Sequence, residues 1–189
     1  MKVLETEFKG LLQIFPEIYE DQRGYFIESF HIHKFQTLSI PHSIVQDNFS
    51  YSQRGIIRGL HLQLPPYQQA KLVMVMKGKA LDVVVDLRPD SPTYGQHAKY
   101  ILNAKQHNML YIPEGFAHGL LAIEETIFTY KCSDFYNKSA ETGILWKDDT
   151  LNIDWELDHY SITQPIISDK DQSLPTFEEF RKEIHAKAN

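Results

Sequence analysis

Two short apolar runs joined by a glycine-centred link constrain the fold of this chain more than any other feature. Residues 72–76 (LVMVM) and 80–87 (ALDVVVDL) flank Lys77-Gly78-Lys79. Each run is too short for a buried helix and rich in β-branched residues, so each reads as a strand. Gly78 supplies the positive φ of a tight turn, and the unit reads as a β-hairpin. The pattern recurs along the chain. Short or alternating apolar runs, punctuated by Gly, Pro, Asn and Asp, predict strands over 11–15, 24–30, 100–102, 108–112, 119–123 and 126–132, with a short helical piece over 31–37. The fold class is therefore all-β, a barrel or sandwich.

The C-terminal end breaks the pattern. Thr176 and Glu179 stand at capping-box spacing before Phe180 and Ile184, predicting a helix over 177–187. Between Trp155 and Pro175 little periodicity is visible, so a long arm is expected there. With 189 residues and 42% hydrophobic content the chain suits one domain, 1–189. It is expected to be a jelly roll with a core over about 40–135, an N-terminal strand extension and a C-terminal arm and helix over about 155–189. The net charge of −6 argues against nucleic acid as a partner, while a local cation cluster could still hold an anionic small ligand. Cys132 is the only cysteine, which excludes an intrachain disulfide and suits an inert buried thiol. The first residues, MKVLETEFKGLL, lack the apolar core of a signal peptide, and no run approaches the ~20 apolar residues of a membrane span. A cytoplasmic protein without a membrane partner is expected.

Chemistry concentrates in residues 55–71, GIIRGLHLQLPPYQQAK, where Arg58, His61, Gln63 and Lys71 lie close together. His61 alternates with Leu60 and Leu62, so it should face away from both, into the mouth of the barrel. A structural histidine satisfied by a backbone carbonyl is the plainer alternative; the nearby cations favour a functional one. His118 follows the turn Pro113-Glu-Gly115, Tyr130 ends an apolar strand, and Tyr136 lies six residues on. Any one tyrosine among ten is more often packing than catalysis. Asp169-Lys170-Asp171 by itself reads as a solvated surface turn. The Gly55-to-His61 spacing and the 113–118 run are similar to the two metal motifs of cupin barrels. Gln63 stands where a second histidine is needed, however, and Tyr67 and Gln68 where a glutamate is needed. A divalent ion wants three or four such ligands, so no metal site is expected.

Taken together these residues resemble the dTDP-4-dehydrorhamnose 3,5-epimerase family over roughly residues 15–177. The motifs, in order, are Asp21-Gln-Arg23-Gly24-Tyr-Phe26-Ile-Glu28, Gln46-Asp-Asn48, Arg58-Gly-Leu-His61-x-Gln63, Asp86-Leu-Arg-Pro-Asp-Ser91-Pro92-Thr-Tyr-Gly95, Pro113-x-Gly115-Phe-Ala-His118-Gly119, and Tyr130-Lys131 followed by Tyr136. Leu62 departs from the aromatic usual after the histidine, and Phe49 from a frequent histidine after Asn48. The resemblance implies a cupin-like jelly-roll fold and cofactor-free inversion at carbons 3 and 5 of a dTDP-4-keto-6-deoxyhexose. It makes His61 the base, oriented by Asp171, Lys71 the cation that steadies the enolate, and Tyr130 the acid. Arg23, Phe26, Glu28, Gln46, Asn48, Arg58, His118, Glu141 and Lys170 become substrate contacts, and Tyr136 stacks on the thymine ring. It also implies a homodimer with exchanged N-terminal strands, so that Arg23, Phe26 and Glu28 serve the neighbouring site. A single-carbon epimerase, a metal-dependent cupin and a non-enzymatic sugar-nucleotide binding module are the competing readings.

Overall fold

The expected hairpin does not form. Its two runs are strands β7 (Lys71–Lys77) and β8 (Lys79–Asp86), yet they belong to different sheets. Periodicity identifies a strand without naming its partner, and the single residue between these two is too short a link for a two-residue hairpin loop. Gly78 instead turns the chain from one sheet into the other. Its φ is +79°, and a Cβ there would lie 2.2 Å from the Glu125 carbonyl oxygen.

The computed structural model describes residues 1–38, 40 and 43–188. Chain order runs β1 (Lys2–Glu5), β2 (Leu12–Phe15), β3 (Ile18–Asp21), β4 (Gly24–Ile27), α1 (Ile32–Gln36), β5 (Gln46–Ser52), β6 (Ile57–Gln63), then β7 and β8. It continues with β9 (His97–Asn103), β10 (Met109–Ile112), β11 (Phe116–Ala122), β12 (Thr126–Cys132), β13 (Glu141–Gly143), α2 (Asp169–Gln172) and α3 (Phe177–Ala188). One sheet has the order β1-β2-β10-β7-β12-β5 and the other β13-β6-β11-β8-β9. Pairing within both is antiparallel. The two sheets face each other as a jelly roll with open edges rather than as a closed barrel. β3 and β4 form a separate exposed two-stranded ribbon, which ends at Ile27, short of the strand expected over 24–30. Phe30 leaves the strand to pack on Phe35 of α1, ring centroids 5.1 Å apart.

Alternation sorts the apolar residues into three cores. Val73, Val75, Ala80, Val84, Leu120 and Phe128 meet between the sheets. On the outer face of the five-stranded sheet, Leu60, Leu62, Leu81, Val83 and Val85 pack against the C-terminal arm through Trp155, Ile162, Phe177 and Phe180. Outside the six-stranded sheet, Leu72, Met74 and Met109 pack with Phe35. β8 is buried along nearly its whole length because both of its faces are covered. The capping box forms as expected: Glu179 accepts from the Thr176 amide at 2.8 Å, and the Glu179 amide donates to Thr176 Oγ1 at 3.3 Å. The Asp86 motif proves architectural. Its buried carboxylate accepts from Arg88, Ser91 and Thr93 and ties down the turn between β8 and β9.

Gly78→Ala is expected to destabilise the fold by ~1–3 kcal/mol from backbone conformation alone, and further through the Glu125 carbonyl. Urea denaturation should show a lower midpoint at unchanged slope; an unaltered midpoint would contradict the account of this corner.

Candidate active site

The same alternation that builds the cores assigns the polar side chains. Leu60 and Leu62 face the outer core, so His61 between them faces the space between the sheets. Lys71 shares a face with Val73 and Val75, Tyr130 and Cys132 with Phe128, and Asp82 with Ala80 and Val84. His118 shares its face with Leu120. They line or flank a cavity of about 350 Å³, closed on one side by α2 and reached also by Arg58, Gln63, Glu141 and Lys170. Gly59 lets β6 approach β11 here: a Cβ on it would lie 2.5 Å from Gly119 Cα.

The centre of the site is an imidazole–carboxylate pair. His61 Nε2 lies 2.7 Å from Asp171 Oδ1, and the Gly59 amide donates to Oδ2 at 3.1 Å. A carboxylate only accepts, so Nε2 carries a proton, and in the neutral form of the ring Nδ1 keeps the lone pair. Burial works to raise the Asp171 carboxyl, but the His61 hydrogen bond and charge, the Gly59 amide and Ser168 outweigh it and hold it below the usual range. Asp171 is thus no solvated turn residue. It is buried on the one-turn helix α2, whose N-cap Ser168 accepts from the Asp171 amide at 3.1 Å. A second pair lies deeper: His118 Nε2 is 2.8 Å from Asp82 Oδ2, with Asp82 fully buried.

The opposite wall comes from the other sheet. Lys71 meets no hydrogen-bond acceptor or ion-pair partner among the described residues, and burial pushes its amine below the usual lysine value. Burial raises the phenol of Tyr130, with Arg58 acting in the opposite sense. Arg58 donates to Ser52 Oγ at 2.9 Å and to the Tyr51 carbonyl at 3.1 Å. A hollow lined by Lys71 and Arg58 suits an anionic ligand or an anion formed in place.

At the rim, Glu141 accepts from Lys170 at 2.6 Å and from the Tyr136 hydroxyl at 2.9 Å. The Tyr136 ring stays half exposed, with its face open. Gln46 Oε1 accepts from the Tyr136 amide at 2.8 Å, and Gln46 Nε2 donates to Asn48 at 3.0 Å. Asn48 itself stands behind the wall, donating to Cys132 Sγ at 3.8 Å. Arg23, Phe26 and Glu28 are not brought to this cavity within the chain. They lie on or beside the exposed ribbon, with Arg23 paired to Asp21 at 2.5 Å and Glu28 to Lys34 at 2.7 Å.

Sequence reasoning missed Asp82 and the use of Gln63. A single acid inside the apolar run of β8 was the available signal for Asp82. Gln63 shares the parity of His61 and is buried. It donates to the carbonyls of Tyr67 at 2.6 Å and Phe135 at 3.3 Å, and accepts from the Asn137 amide at 2.7 Å. The position that a metal-binding cupin would give to a ligand here braces the loop that presents Tyr136. Gln63→Leu should expose the Asn137 amide to fast hydrogen exchange and cost ~1–3 kcal/mol of stability. Unchanged protection at Asn137 would remove Gln63 from that role.

Comparison with known proteins agrees with this geometry. The family model described as dTDP-4-dehydrorhamnose 3,5-epimerase matches residues 5–179. The dTDP-4-dehydrorhamnose 3,5-epimerase of Shigella flexneri is 43% identical over 173 residues, covering 90% of this chain and 93% of its own. The crystal structure of the enzyme of that name from Bacillus anthracis, with TDP and PPi bound, superposes with a TM-score of 0.87 at 46% identity, covering 93% of this chain and 99% of that one. A dTDP-6-deoxy-D-glucose-3,5-epimerase from Legionella pneumophila, in complex with dTDP-4-keto-L-rhamnose, gives 0.90 at 39% identity, covering 97% and 96%. A match over nearly the whole length, with the motif residues Arg58, His61, His118 and Tyr130 gathered with Lys71 at one cavity, means that the chain belongs to the dTDP-4-dehydrorhamnose 3,5-epimerase family.

Proposed function

We propose that this chain epimerises dTDP-4-dehydro-6-deoxy-D-glucose at sugar carbons 3 and 5, giving dTDP-4-dehydro-L-rhamnose, without a metal or organic cofactor. The observation that carries the reading is the His61–Asp171 pair on one wall of a cavity whose opposite wall holds Tyr130 and a Lys71 without an ion-pair partner among the described residues. A 4-keto group acidifies the hydrogens on both neighbouring carbons. Neutral His61, its Nε2–H committed to Asp171, takes one of them on Nδ1. The electrons move to the carbonyl oxygen, and the Lys71 ammonium stabilises the enolate. Tyr130 returns a proton to the other face of the carbon, which inverts it. Once His61 has released its proton to solvent and Tyr130 has regained one, the same cycle operates at the second carbon.

The nucleotide follows from the rim. Arg58 supplies a guanidinium for charge-assisted bonds to phosphate, and the open face of Tyr136 suits a stacked thymine ring. His118, Gln46, Asn48, Glu141 and Lys170 complete the substrate contacts. The ribbon carrying Arg23, Phe26 and Glu28 exposes Tyr19, Tyr25 and Phe26, and a second apolar hollow on the six-stranded sheet is lined by Phe49, Met74, Met76 and Ile127. Both features support a homodimer of one-domain subunits (1–189) in which exchanged N-terminal strands bring those three residues to the partner's cavity. No helix among the described residues is long and apolar enough to cross a membrane. Light scattering should give twice the chain mass, and a monomer at micromolar concentration would remove the exchange.

His61→Asn should reduce entry of solvent deuterium into the keto-sugar by ~10²–10⁴-fold with nucleotide affinity largely kept; near-normal exchange would overturn the base assignment. NMR of the wild-type product should show deuterium at two carbons; label at one would make the enzyme a single-carbon epimerase. Tyr130→Phe should preserve exchange better than net inversion, because the enolate still forms and reverts through His61. Tyr136→Phe should stay near wild type, while Tyr136→Ala weakens nucleotide binding by ~1–3 kcal/mol, five- to hundredfold. A reversal of the two tyrosine phenotypes would exchange their roles.

A further inference from the structure

Asp82, fully buried, and Lys71, partly buried, are groups of opposite sign on different sheets; Lys71 lines the cavity, and Asp82 stands behind its lining residue His118. Asp82 on β8 is completely buried. Its Oδ2 is occupied by His118, but Oδ1 is also buried and has no hydrogen-bond partner among the described residues. Lys71 on β7 shows the complementary lack, an amine with no acceptor among the described residues beside a cavity also lined by His118. An orphaned carboxylate oxygen deep in a protein is costly, and so is an unmatched ammonium; each is more tolerable when the other is charged.

The electrostatics agree with that pairing. Burial pushes Lys71 toward the neutral amine, with Cys132, Glu141 and Asp82 opposing. Burial pushes Asp82 toward the neutral acid, with His118 and Lys71 opposing. The other titratable or charged groups around the cavity are Tyr130 and Cys132 on β12, His61 and Arg58 on β6, His118 on β11, Glu141 on β13, Tyr136 in the loop before it, and Lys170 and Asp171 on α2. Glu141 is already bound by Lys170 and Tyr136, and Asp171 by His61 and Gly59. Among these carboxylates, only Asp82 combines complete burial with an orphaned oxygen.

We propose that Asp82 is a positioning residue for the reaction: its buried carboxylate keeps the Lys71 ammonium protonated, so that the cation is present when the enolate forms. The inference rests on the role given to Lys71 above. Removing the carboxylate takes away one of the charges that oppose burial, so Lys71 loses its proton at lower pH. The alkaline limb of activity then moves down with it. By reciprocity, removing the Lys71 charge raises the pH at which Asp82 takes up a proton.

The test uses reductively ¹³C-methylated protein, with the Lys71 resonance assigned by its loss in Lys71→Met. In Asp82→Asn the Lys71 titration midpoint should fall by roughly one pH unit or more, and the alkaline limb of the epimerisation rate should fall with it, about tenfold less activity per unit at high pH. His118→Gln should alter KM and leave the Lys71 midpoint in place. If it reproduces the shift, Asp82 acts only through His118 and the proposal fails. An unmoved Lys71 midpoint in Asp82→Asn also overturns it. Should Asp82→Asn not fold, infrared spectroscopy of the wild type and Lys71→Met decides. A protonated-carboxyl band at neutral pH that appears only in Lys71→Met supports the coupling, and one already present in the wild type refutes it. The lysine titration and the infrared band need no turnover, so a failed epimerase reading and a failed coupling are told apart.

Discussion

The strict alternation of side chains along a β-strand is the constraint on which this molecule depends. A strand between two covered surfaces sends one residue to each in turn, and a shift of one position would invert every assignment. β6 keeps to it on either side of an irregularity at Gly59, where Ile57 and Leu60, three apart, both join the outer core and Arg58 and His61 both reach the cavity. Leu60 and Leu62 complete the outer core under the C-terminal arm, and that packing is what commits His61 to the space between the sheets. β7 and β8 repeat the logic with Lys71 and Asp82. The apolar residues therefore do more than stabilise the fold. They set the direction in which each polar neighbour points, so the precision of the site is inherited from the cores.

Seen this way the cavity is the end of the inner core at which polar side chains replace apolar ones. Between the sheets Val73, Val75, Phe128 and Leu120 fill space tightly. One alternation further along the same strands come Lys71, Tyr130 and His118. Groups placed there leave much of the water while their backbones remain anchored in paired strands. Low local polarity strengthens every charge that survives, which is why dyads and a lone ammonium can serve as tools at this end of the sandwich.

Much of this was legible in the chain. Runs such as 126–132 announced strands through their period, and the Thr176–Glu179 spacing announced the last helix. His61 could be aimed correctly because its two neighbours are leucines. Pairing was not legible, since the 72–87 segment looks like a hairpin until the partners of each strand are known; only three-dimensional context shows that Gly78 is a corner between sheets. Asp171 was equally opaque as local sequence. In a charged run beside a lysine it resembles a solvated turn, and what buries it is a carboxylate-to-imidazole contact with a residue far away in the chain. Family resemblance, not local pattern, pointed to it. Gln63 was noticed for the ligand it fails to be, while its actual use depends on three backbone groups that no spacing rule connects. The ribbon with Arg23, Phe26 and Glu28 on or beside it lies at the far limit of legibility, because the single chain gives those residues no cavity to face.

The arm that ends in α2 and α3 has a consequence for the order in which the protein becomes competent. His61 and its orienting carboxylate are 110 residues apart in the chain. During synthesis both sheets, apart from the short edge strand β13, are complete in sequence once Cys132 has been made, yet the imidazole then has no Asp171 to fix its tautomer and the outer face of the five-stranded sheet has no Trp155, Phe177 or Phe180 to cover it. The nascent sandwich is at that stage both without its imidazole–carboxylate pair and exposed. One late event, the docking of the arm, ends both conditions at once, so the imidazole is oriented only when the fold beneath it has been sealed.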